Sequence, residues 1–316
     1  MRKIKKLRAA IAAMVGMATA VVLSVLFVST ATAAQASLVE VKNFGANPTN
    51  LKMYEYVPAK VTAHPGILVA LHYCGGSGPA FYSRTKFASL ADEYGFIVIY
   101  PSVTRTSLDC WNASTPGALT HYGWSDPVGV VSMVRYVEAQ HNADPNRVYV
   151  TGASSGAMET NVMLADYPDV FKAGAAFMGV PFGCFATTNG TLWNSDCSQG
   201  WVTKTPQQWG DLVRAAYPGY NGPRPRMQLW HGTADSILNY HNFGEEIKQW
   251  TNVLGVNSWP TRTTTPISNW THTVYTDHSG NVQVDAYSIA GAGHTLPDPN
   301  LWMEAIAIHF FGLDHR

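Results

Sequence analysis

One serine lies in a sequence pattern that is typical of a nucleophile. Residues Gly152 to Gly156 read G-A-S-S-G, a G-x-S-x-G pentapeptide centred on Ser154. It stands between a β-branched run, residues 147–151, and a stretch with helical periodicity. A sharp strand–turn–helix connection needs glycines because larger side chains would collide, and it presents the serine hydroxyl at a helix N-terminus. The pattern predicts nucleophilic attack by Ser154, whereas the alternative is an ordinary glycine turn.

A base and an acid that could activate the serine follow later in the chain. A serine hydroxyl is a poor nucleophile at neutral pH, so a base must take its proton and an acid must orient the base. In this strand–turn–helix setting the chain order is serine, acid, histidine. Asp235 follows a predicted strand at 227–231, and His294 ends the sequence G-A-G-H after another at 283–289. We predict that Asp235 orients His294, which deprotonates Ser154.

Other acidic and histidine residues fit these two roles less well. Asp277 lies in a polar stretch and is the second choice for the acid, and Asp285 is inside a predicted strand. Asp298 follows the proposed base and so breaks the chain order. His231 precedes the acid at the same strand end, which favours a role in shaping the turn around Asp235.

Acyl transfer also needs an oxyanion hole, two N–H groups directed at the charge that develops on the carbonyl oxygen. One should be the backbone N–H of Ser155, the residue after the nucleophile. The other should come from the loop after the predicted strand at 67–71, which reads H-Y-C-G-G and has the flexible backbone that such a loop requires. We assign this second donor to Cys74, with Tyr73 as the alternative.

Short β-branched runs alternate with helical stretches along the chain. The predicted strands are residues 67–71, 96–100, 147–151, 173–178, 227–231 and 283–289. The predicted helices are residues 82–94, 128–141, 156–167 and 243–254. This alternation is typical of an α/β fold with a mostly parallel central sheet and helices on both faces. Residues 38–44 and 51–57 are predicted to form an antiparallel pair at one edge. Ligands of such sheets bind beyond the carboxyl ends of the strands.

The first 36 residues differ from the rest of the chain. They contain five basic residues and no acidic one, an apolar run at 9–28, and small residues at alternating positions up to Ala36. These features predict a secretory signal peptide cleaved after Ala36, with residues 37–316 as one catalytic domain. The alternative is a transmembrane anchor, since the apolar run is about long enough to cross a bilayer. We expect a secreted protein with no membrane contact after cleavage.

Charge excludes one class of partner. The whole chain has 21 basic and 21 acidic residues, so the predicted mature part has 16 basic residues (21 less 5) against 21 acidic ones. A nucleic-acid-binding protein would normally have a basic excess. We therefore expect no nucleic-acid partner, and the low charged fraction of 13% favours a neutral polymer over a polyanion.

The four cysteines are Cys74, Cys110, Cys184 and Cys197. Export to an oxidising compartment favours two disulfides over metal ligands or free thiols, and no Cys-x-x-Cys pair is present. Three pairings are open. We favour Cys74 with Cys110 and Cys184 with Cys197; the first would stiffen the predicted oxyanion loop. The alternative is four separate buried thiols.

Several of these motifs together resemble one known family, the secreted acetylxylan esterases of carbohydrate esterase family 1, which are related to feruloyl esterases and polyhydroxybutyrate depolymerases. The matching segments include Asn43-Phe44-Gly45, His72-Tyr73-Cys74, YGFIVIYP at 94–101, Cys110-Trp111, RPRMQ at 224–228, His231-Gly232 and Gly293-His294. The resemblance implies an α/β-hydrolase fold, a triad of Ser154, His294 and Asp235, no metal, no cofactor, and removal of acetyl groups from xylan.

The substrate side is less defined than the chemistry. Acetylated xylan or a related plant cell-wall polysaccharide would need a broad surface, and aromatic side chains are platforms for sugar faces. We predict that Trp111 and Trp201 contact the sugar. Feruloyl esterase and polyhydroxybutyrate depolymerase are the alternative activities. An acyltransferase, or a non-catalytic carbohydrate-binding protein on the same fold, is the alternative of a different class.

Overall fold

The computed structural model describes residues 36–105, 108–298 and 300–315. The predicted signal peptide, apart from Ala36, lies outside these residues. Within the described ranges, no helix is both long enough and apolar enough to cross a membrane.

Ten strands form the sheet at the centre of the described residues. The strands are β1 Leu38–Val41, β2 Lys52–Tyr56, β3 Ile67–Leu71, β4 Ile97–Ser102, β5 Val148–Ala153, β6 Ala173–Phe177, β7 Arg226–Gly232, β8 Arg262–Thr264, β9 Trp270–Thr276 and β10 Val282–Ile289. Their order is β1-β2-β4-β3-β5-β6-β7-β10-β9-β8. Six neighbouring strands are parallel to one another: β4, β3, β5, β6, β7 and β10. Antiparallel strands flank this group on both sides. The predicted antiparallel pair at one edge is confirmed as β1 and β2.

Eight helices accompany the sheet in the described part of the chain. They are α1 Gly78–Arg84, α2 Phe87–Tyr94, α3 Asp126–His141, α4 Ser155–Asp166, α5 Ser195–Ser198, α6 Pro206–Ala216, α7 His241–Val253 and α8 Met303–Phe311. The single helix predicted at 82–94 is two helices, because α1 ends at Arg84, the backbone is extended at Thr85, and α2 begins at Phe87. Helix α6 was not predicted, although Thr205 and Gln208 form a capping box at its start.

The core lies on both faces of the sheet. All five residues of β3 are buried, and they alternate between two clusters of apolar side chains. Ile67, Val69 and Leu71 belong to one cluster, and Leu68 and Ala70 to the other. Parallel strands covered by helices on both sides have this pattern of continuous burial. The prediction of a mostly parallel sheet with helices on both faces is confirmed.

Candidate active site

The proposed nucleophile stands on a strained turn between β5 and α4. Ser154 has φ 56° and ψ −119°, in the left-handed half of backbone space that a residue with a side chain rarely adopts. A Cβ on Gly152 would lie 2.3 Å from the Gly156 carbonyl oxygen, and one on Gly156 would lie 2.2 Å from the Leu71 carbonyl oxygen. Both positions therefore require glycine, and the second glycine lets α4 begin directly against the end of β3.

The structure brings the three predicted triad residues into one hydrogen-bonded chain. His294 Nε2 is 2.8 Å from Ser154 Oγ, and His294 Nδ1 is 2.7 Å from Asp235 Oδ2. Asp235 follows β7 and His294 follows β10, which is the parallel neighbour of β7. The carboxyl ends of these two strands therefore place the acid and the histidine at the same edge of the sheet as the turn after β5. The geometry is that of a nucleophile, its base and an orienting acid.

The side chain of Asp235 is fully buried and held from several directions. Its Oδ1 accepts hydrogen bonds from the N–H groups of Ile237 at 2.9 Å and Leu238 at 3.0 Å. Its Oδ2 lies 3.3 Å from His231 Nε2, in addition to the contact with His294. Burial by itself would raise the pKa of Asp235, but hydrogen bonds from the two histidines lower it well below its usual value. The carboxylate therefore stays ionised and faces the imidazole.

The predicted oxyanion loop is fixed by a buried histidine. His72 Nδ1 lies 2.7 Å from the carbonyl oxygen of Tyr73, and its Nε2 accepts the N–H of Val103 at 3.0 Å. The carbonyl oxygen of His72 accepts the indole N–H of Trp111 at 2.8 Å. Burial lowers the pKa of His72, which keeps the ring neutral and able to accept at Nε2. These bonds hold the turn that carries Cys74 next to the start of α4, where Ser155 lies.

Two disulfides are present, and the pairs are those that the sequence interpretation favours. Cys74 is bonded to Cys110, and Cys184 to Cys197. The first bond ties the predicted oxyanion loop to the segment before Trp111. The second lies in the long connection between β6 and β7, where Cys197 is part of the short helix α5.

One pocket adjoins the proposed nucleophile, and a smaller recess lies beside Ser155 and the oxyanion loop. The larger is a pocket of about 440 Å³ whose walls include Ser154, His294, Tyr73, Phe81, Met178 and Leu296. Arg84 is the one residue among Lys, Arg, Asp and Glu in the wall of this pocket, and its guanidinium lies over the Tyr73 ring. The smaller is a recess of about 10 Å³, bordered by Ser155, Trp111, Met158 and Phe185. Cys74 and Trp193 border both spaces.

The two predicted sugar contacts have different environments. Trp111 is only 2% exposed, with its indole N–H bonded to His72 and its ring 5.2 Å from the imidazole. A ring this buried offers no open face for a sugar to stack on, but Trp111 borders the recess beside the oxyanion loop, and its predicted contact with the substrate stays a prediction. Trp201 is 73% exposed and stays a prediction. Trp193, which borders the pocket, is 45% exposed and is a better-placed aromatic residue.

The rival acids lie elsewhere. Asp277 is in an exposed turn, where its carboxylate accepts from the backbone of Ser279 and from Asn281. Asp285 lies in β10 and contacts Gln228 and His272. Among the described residues, neither acid forms a hydrogen bond or ion pair with His294. The turn-shaping role that the sequence suggests for His231 fits its contact with Asp235.

The sequence did not predict the roles of two residues, His72 in the oxyanion loop and Arg84 in the wall of the pocket. His72 belongs to the H-Y-C-G-G motif, but its two hydrogen bonds reach Tyr73 and Val103, and the second of these partners is 31 residues away. Arg84 ends α1 without any motif, and only folding brings it to the pocket. Sequence spacing carries no signal for contacts of this kind.

Comparison with known proteins identifies the family. The family model described as "Esterase PHB depolymerase" matches residues 51–252. Feruloyl esterase B of Talaromyces stipitatus is 45% identical, over 88% of this chain and 76% of that protein. Acetylxylan esterase of Coprinopsis cinerea is 46% identical, over 87% of this chain and 73% of that protein.

A solved structure agrees with these relatives. Acetyl xylan esterase from Aspergillus awamori superposes with a TM-score of 0.82 at 41% identity, covering 88% of this chain and 99% of that one. The α/β-hydrolase fold expected from the sequence is thereby confirmed, as is the resemblance to acetylxylan esterases. The chain belongs to the esterase PHB depolymerase family and is a carboxylic ester hydrolase.

Proposed function

We propose that this protein is a secreted serine esterase that removes acetyl groups from acetylated xylan. The observation that carries the proposal is the unbroken contact chain from Ser154 Oγ through His294 to Asp235, at 2.8 and 2.7 Å. Separations of this size allow direct proton transfer between the serine and the imidazole. The named relatives, among them the acetylxylan esterases of Coprinopsis cinerea and Aspergillus ficuum, support the substrate.

The first half of the reaction acylates the serine. Ser154 Oγ attacks the carbonyl carbon of the acetyl ester while His294 Nε2 takes the hydroxyl proton. The N–H groups of Ser155 and Cys74 bind the oxyanion of the tetrahedral intermediate. The bond to the sugar oxygen then breaks, His294 returns its proton to that oxygen, and the deacetylated sugar leaves. Asp235 stays ionised throughout and stabilises the imidazolium.

The second half releases acetate. A water molecule attacks the acetyl-Ser154 carbonyl carbon and gives its proton to His294. The same N–H groups bind the oxyanion of this second tetrahedral intermediate. The bond to Ser154 Oγ breaks, the imidazolium protonates that oxygen, and acetic acid leaves, so that the enzyme returns to its starting state. An acyltransferase would use the same acyl-enzyme with a sugar hydroxyl in place of water.

The two spaces beside the serine support an acetyl group on one side and a sugar on the other. The recess of about 10 Å³ has room for little more than a methyl group next to Ser155. The pocket of about 440 Å³ is of the size that ligand sites usually have, roughly 300–1,000 Å³, and Trp193 forms part of its wall. With the acetyl methyl in the recess, a xylose unit occupies the pocket and the polymer extends along the surface that includes Trp201.

The opposite orientation favours a second candidate, a feruloyl esterase. The large pocket has apolar walls formed by Tyr73, Phe81, Met178 and Leu296, which suit a planar aromatic acyl group. Feruloyl esterase B of Talaromyces stipitatus is among the named relatives. The pocket volume is therefore the specific observation that supports this candidate.

Initial rates on acetylated xylan, methyl ferulate and polyhydroxybutyrate, measured side by side, distinguish the candidates. We expect the highest kcat/KM for acetylated xylan. A variant with Met158→Ala, which widens the recess, should raise the rate on butyryl esters relative to acetyl esters. A preference for methyl ferulate, with a rate that falls in Phe81→Ala and not in Met158→Ala, would replace the first candidate with the second.

Secretion is a separate part of the proposal. The charge asymmetry of residues 1–36 and the two disulfides support export, cleavage after Ala36 and a single catalytic domain from residue 37 to 316. Expression of the full chain in a secreting host, followed by intact-mass measurement of the medium fraction, tests it. We expect the mass of residues 37–316 less four hydrogens. Protein that stays in the membrane fraction with its N-terminus intact would support the anchor alternative.

A further inference from the structure

Two histidines and one aspartate form a cluster outside the proposed active site. His309 Nδ1 is 2.6 Å from Asp314 Oδ2, and His315 Nε2 is 3.4 Å from Asp314 Oδ1. One nitrogen or oxygen from each of the three residues lies within 4.8 Å of the others. Asp314 Oδ1 is itself shielded from solvent and has no hydrogen-bond partner among the described residues. Imidazole nitrogens and carboxylate oxygens are donor atoms that divalent transition metals accept.

The backbone that carries the cluster is fixed by the fold. His309 lies in the last turn of α8, which ends at Gly312 in the left-handed conformation. Leu313 is buried in the core, so the residues after it start from an anchored position. Arg147 Nη2 also donates to the carbonyl oxygens of Gly312 and His315, at 3.4 and 3.3 Å. The metal would therefore bind to side chains whose backbones are already ordered.

We propose that His309, Asp314 and His315 bind one Zn²⁺ ion. Zinc takes imidazole nitrogens and carboxylate oxygens at about 2.0–2.1 Å in tetrahedral geometry, which sets its ligand atoms roughly 3.3 Å apart. His309 Nδ1 is close to Oδ2 of Asp314 and His315 Nε2 to Oδ1, so binding through one carboxylate oxygen requires the exposed imidazoles to rotate until both nitrogens lie about 3.3 Å from that oxygen. Water would take the fourth position. Ca²⁺ and Mg²⁺ prefer oxygen ligands, so two imidazoles disfavour them.

The site lies away from the proposed chemistry. Leu313 packs against Gly66 at the start of β3, and Arg147 directly precedes β5. Ser154 follows the other end of β5, about 20 Å away at the rise of a six-residue strand. A metal at this amino end of the strands would join the last turn of α8 to residues 314 and 315. It should stabilise the folded state and leave ester hydrolysis unchanged.

Calorimetric titration of ZnCl₂ into untagged residues 37–316 tests the proposal. We expect one Zn²⁺ per chain and no binding of Mg²⁺ under the same conditions. His309→Ala and His315→Ala should each weaken Zn²⁺ binding by at least about tenfold, the smaller end of the effects seen for groups around metal sites. His278→Ala, which removes an exposed histidine in another turn, is the matched control and should titrate like the wild type.

A thermal measurement gives a second, independent readout. Because zinc binds only the folded cluster, free Zn²⁺ at 100 times Kd should raise Tm of the wild type by roughly 5 °C. The His309→Ala/His315→Ala double variant should show no such rise. Equal titration curves for the wild type and the double variant would overturn the site, and so would an equal loss of binding in His278→Ala.

Discussion

Two buried carboxyl groups, Asp235 at the carboxyl edge of the sheet and Glu246 in α7, have opposite electrostatic environments. Asp235 receives two backbone N–H groups and faces two imidazoles, and its pKa lies far below the usual value. Glu246 is just as buried, but its side-chain hydrogen-bond partner among the described residues is the neutral amide of Asn161, and burial raises its pKa to about 8. Burial alone therefore neutralises an acid in this protein, and the charge persists where donors surround it.

The same contrast extends along α4, the helix that begins at the proposed nucleophile. All twelve of its residues are buried, including Glu159 and Asp166. Neither carboxyl group has a hydrogen-bond partner among the described residues, and burial raises the pKa of both well above normal. The raised pKa values favour the neutral form of both acids. To that extent the helix behind Ser154 carries less negative charge that would oppose an oxyanion at its N-terminus.

The largest effect is expected at the nucleophile itself. Ser154→Ala removes the attacking oxygen, so release of acetate from acetylated xylan should fall by at least about 10⁴-fold. The circular dichroism spectrum and Tm should stay near those of the wild type, because a small side chain on the surface of the pocket is shortened. Turnover near the wild-type rate would exclude the proposed triad, and it would also leave a non-catalytic role for the pocket open.

Asp235→Asn should have the next largest effect. The amide cannot stabilise the imidazolium and can hold His294 in the wrong tautomer, which predicts a fall in kcat of about 10³–10⁴-fold with little change in KM. Asp277→Asn is the matched control, since this exposed acid was the second choice from the sequence, and it should keep full activity. A larger loss in the control than in Asp235→Asn would reverse the assignment.

His231 tests whether the donors around Asp235 matter beyond its contact with His294. His231→Phe removes the imidazole 3.3 Å from Asp235 Oδ2, so the pKa of Asp235 should rise and its orientation should loosen. We expect kcat to fall by about tenfold and KM to stay unchanged. His231→Gln keeps an N–H donor and should recover part of the rate; equal losses in both variants would indicate a purely packing role.

Glu246 gives the smallest effect, on stability and not on rate. Its carboxyl group keeps a proton up to a pKa of about 8 when folded, whereas an unfolded Glu releases it near 4.3. Between these values unfolding releases a proton, so the stability that this proton provides is complete below about pH 4 and is lost by about pH 8.

Glu246→Gln should lack this dependence on pH. Its free energy of unfolding, minus that of the wild type, should rise by about 1.4 kcal/mol per pH unit between pH 5 and 7. Urea unfolding at several pH values measures the difference. Glu245→Gln is the neighbouring control, because the pKa of Glu245 is lowered, with Lys248 among its hydrogen-bond partners, and it should show no such slope in this range. A flat difference for Glu246→Gln would mean that Glu246 is ionised in the folded state.

The sequence predicted the parts of this molecule that depend on local rules. The parallel strands are continuous apolar runs because both faces of the sheet are covered, and the glycines at 152 and 156 are required by backbone contacts. Ser154, Asp235 and His294 each follow a strand of this parallel group, so the carboxyl ends of the strands bring them together.

Contacts between distant side chains were not predictable in this way. Trp111 belongs to a segment rich in polar residues, yet its ring is buried. Its indole N–H donates to the carbonyl oxygen of His72, which lies 39 residues earlier in the chain. The sequence did not predict the break between α1 and α2, because Thr85 and Lys86 do not disturb the helical spacing of the apolar residues around them. In the structure the backbone is extended at Thr85, and this ends the first helix. Burial of an individual aromatic residue is decided by its partners in the fold, and spacing does not report them.

Labelling with a phosphonate ester that carries a good leaving group tests the central claim most directly. The reagent phosphonylates an activated serine, and mass spectrometry of the digested protein locates the adduct. We predict one adduct per chain, on Ser154, formed at least about 10³-fold more slowly in Asp235→Asn and absent in Ser154→Ala. An adduct on another residue, or equal labelling of the wild type and Ser154→Ala, would contradict the account.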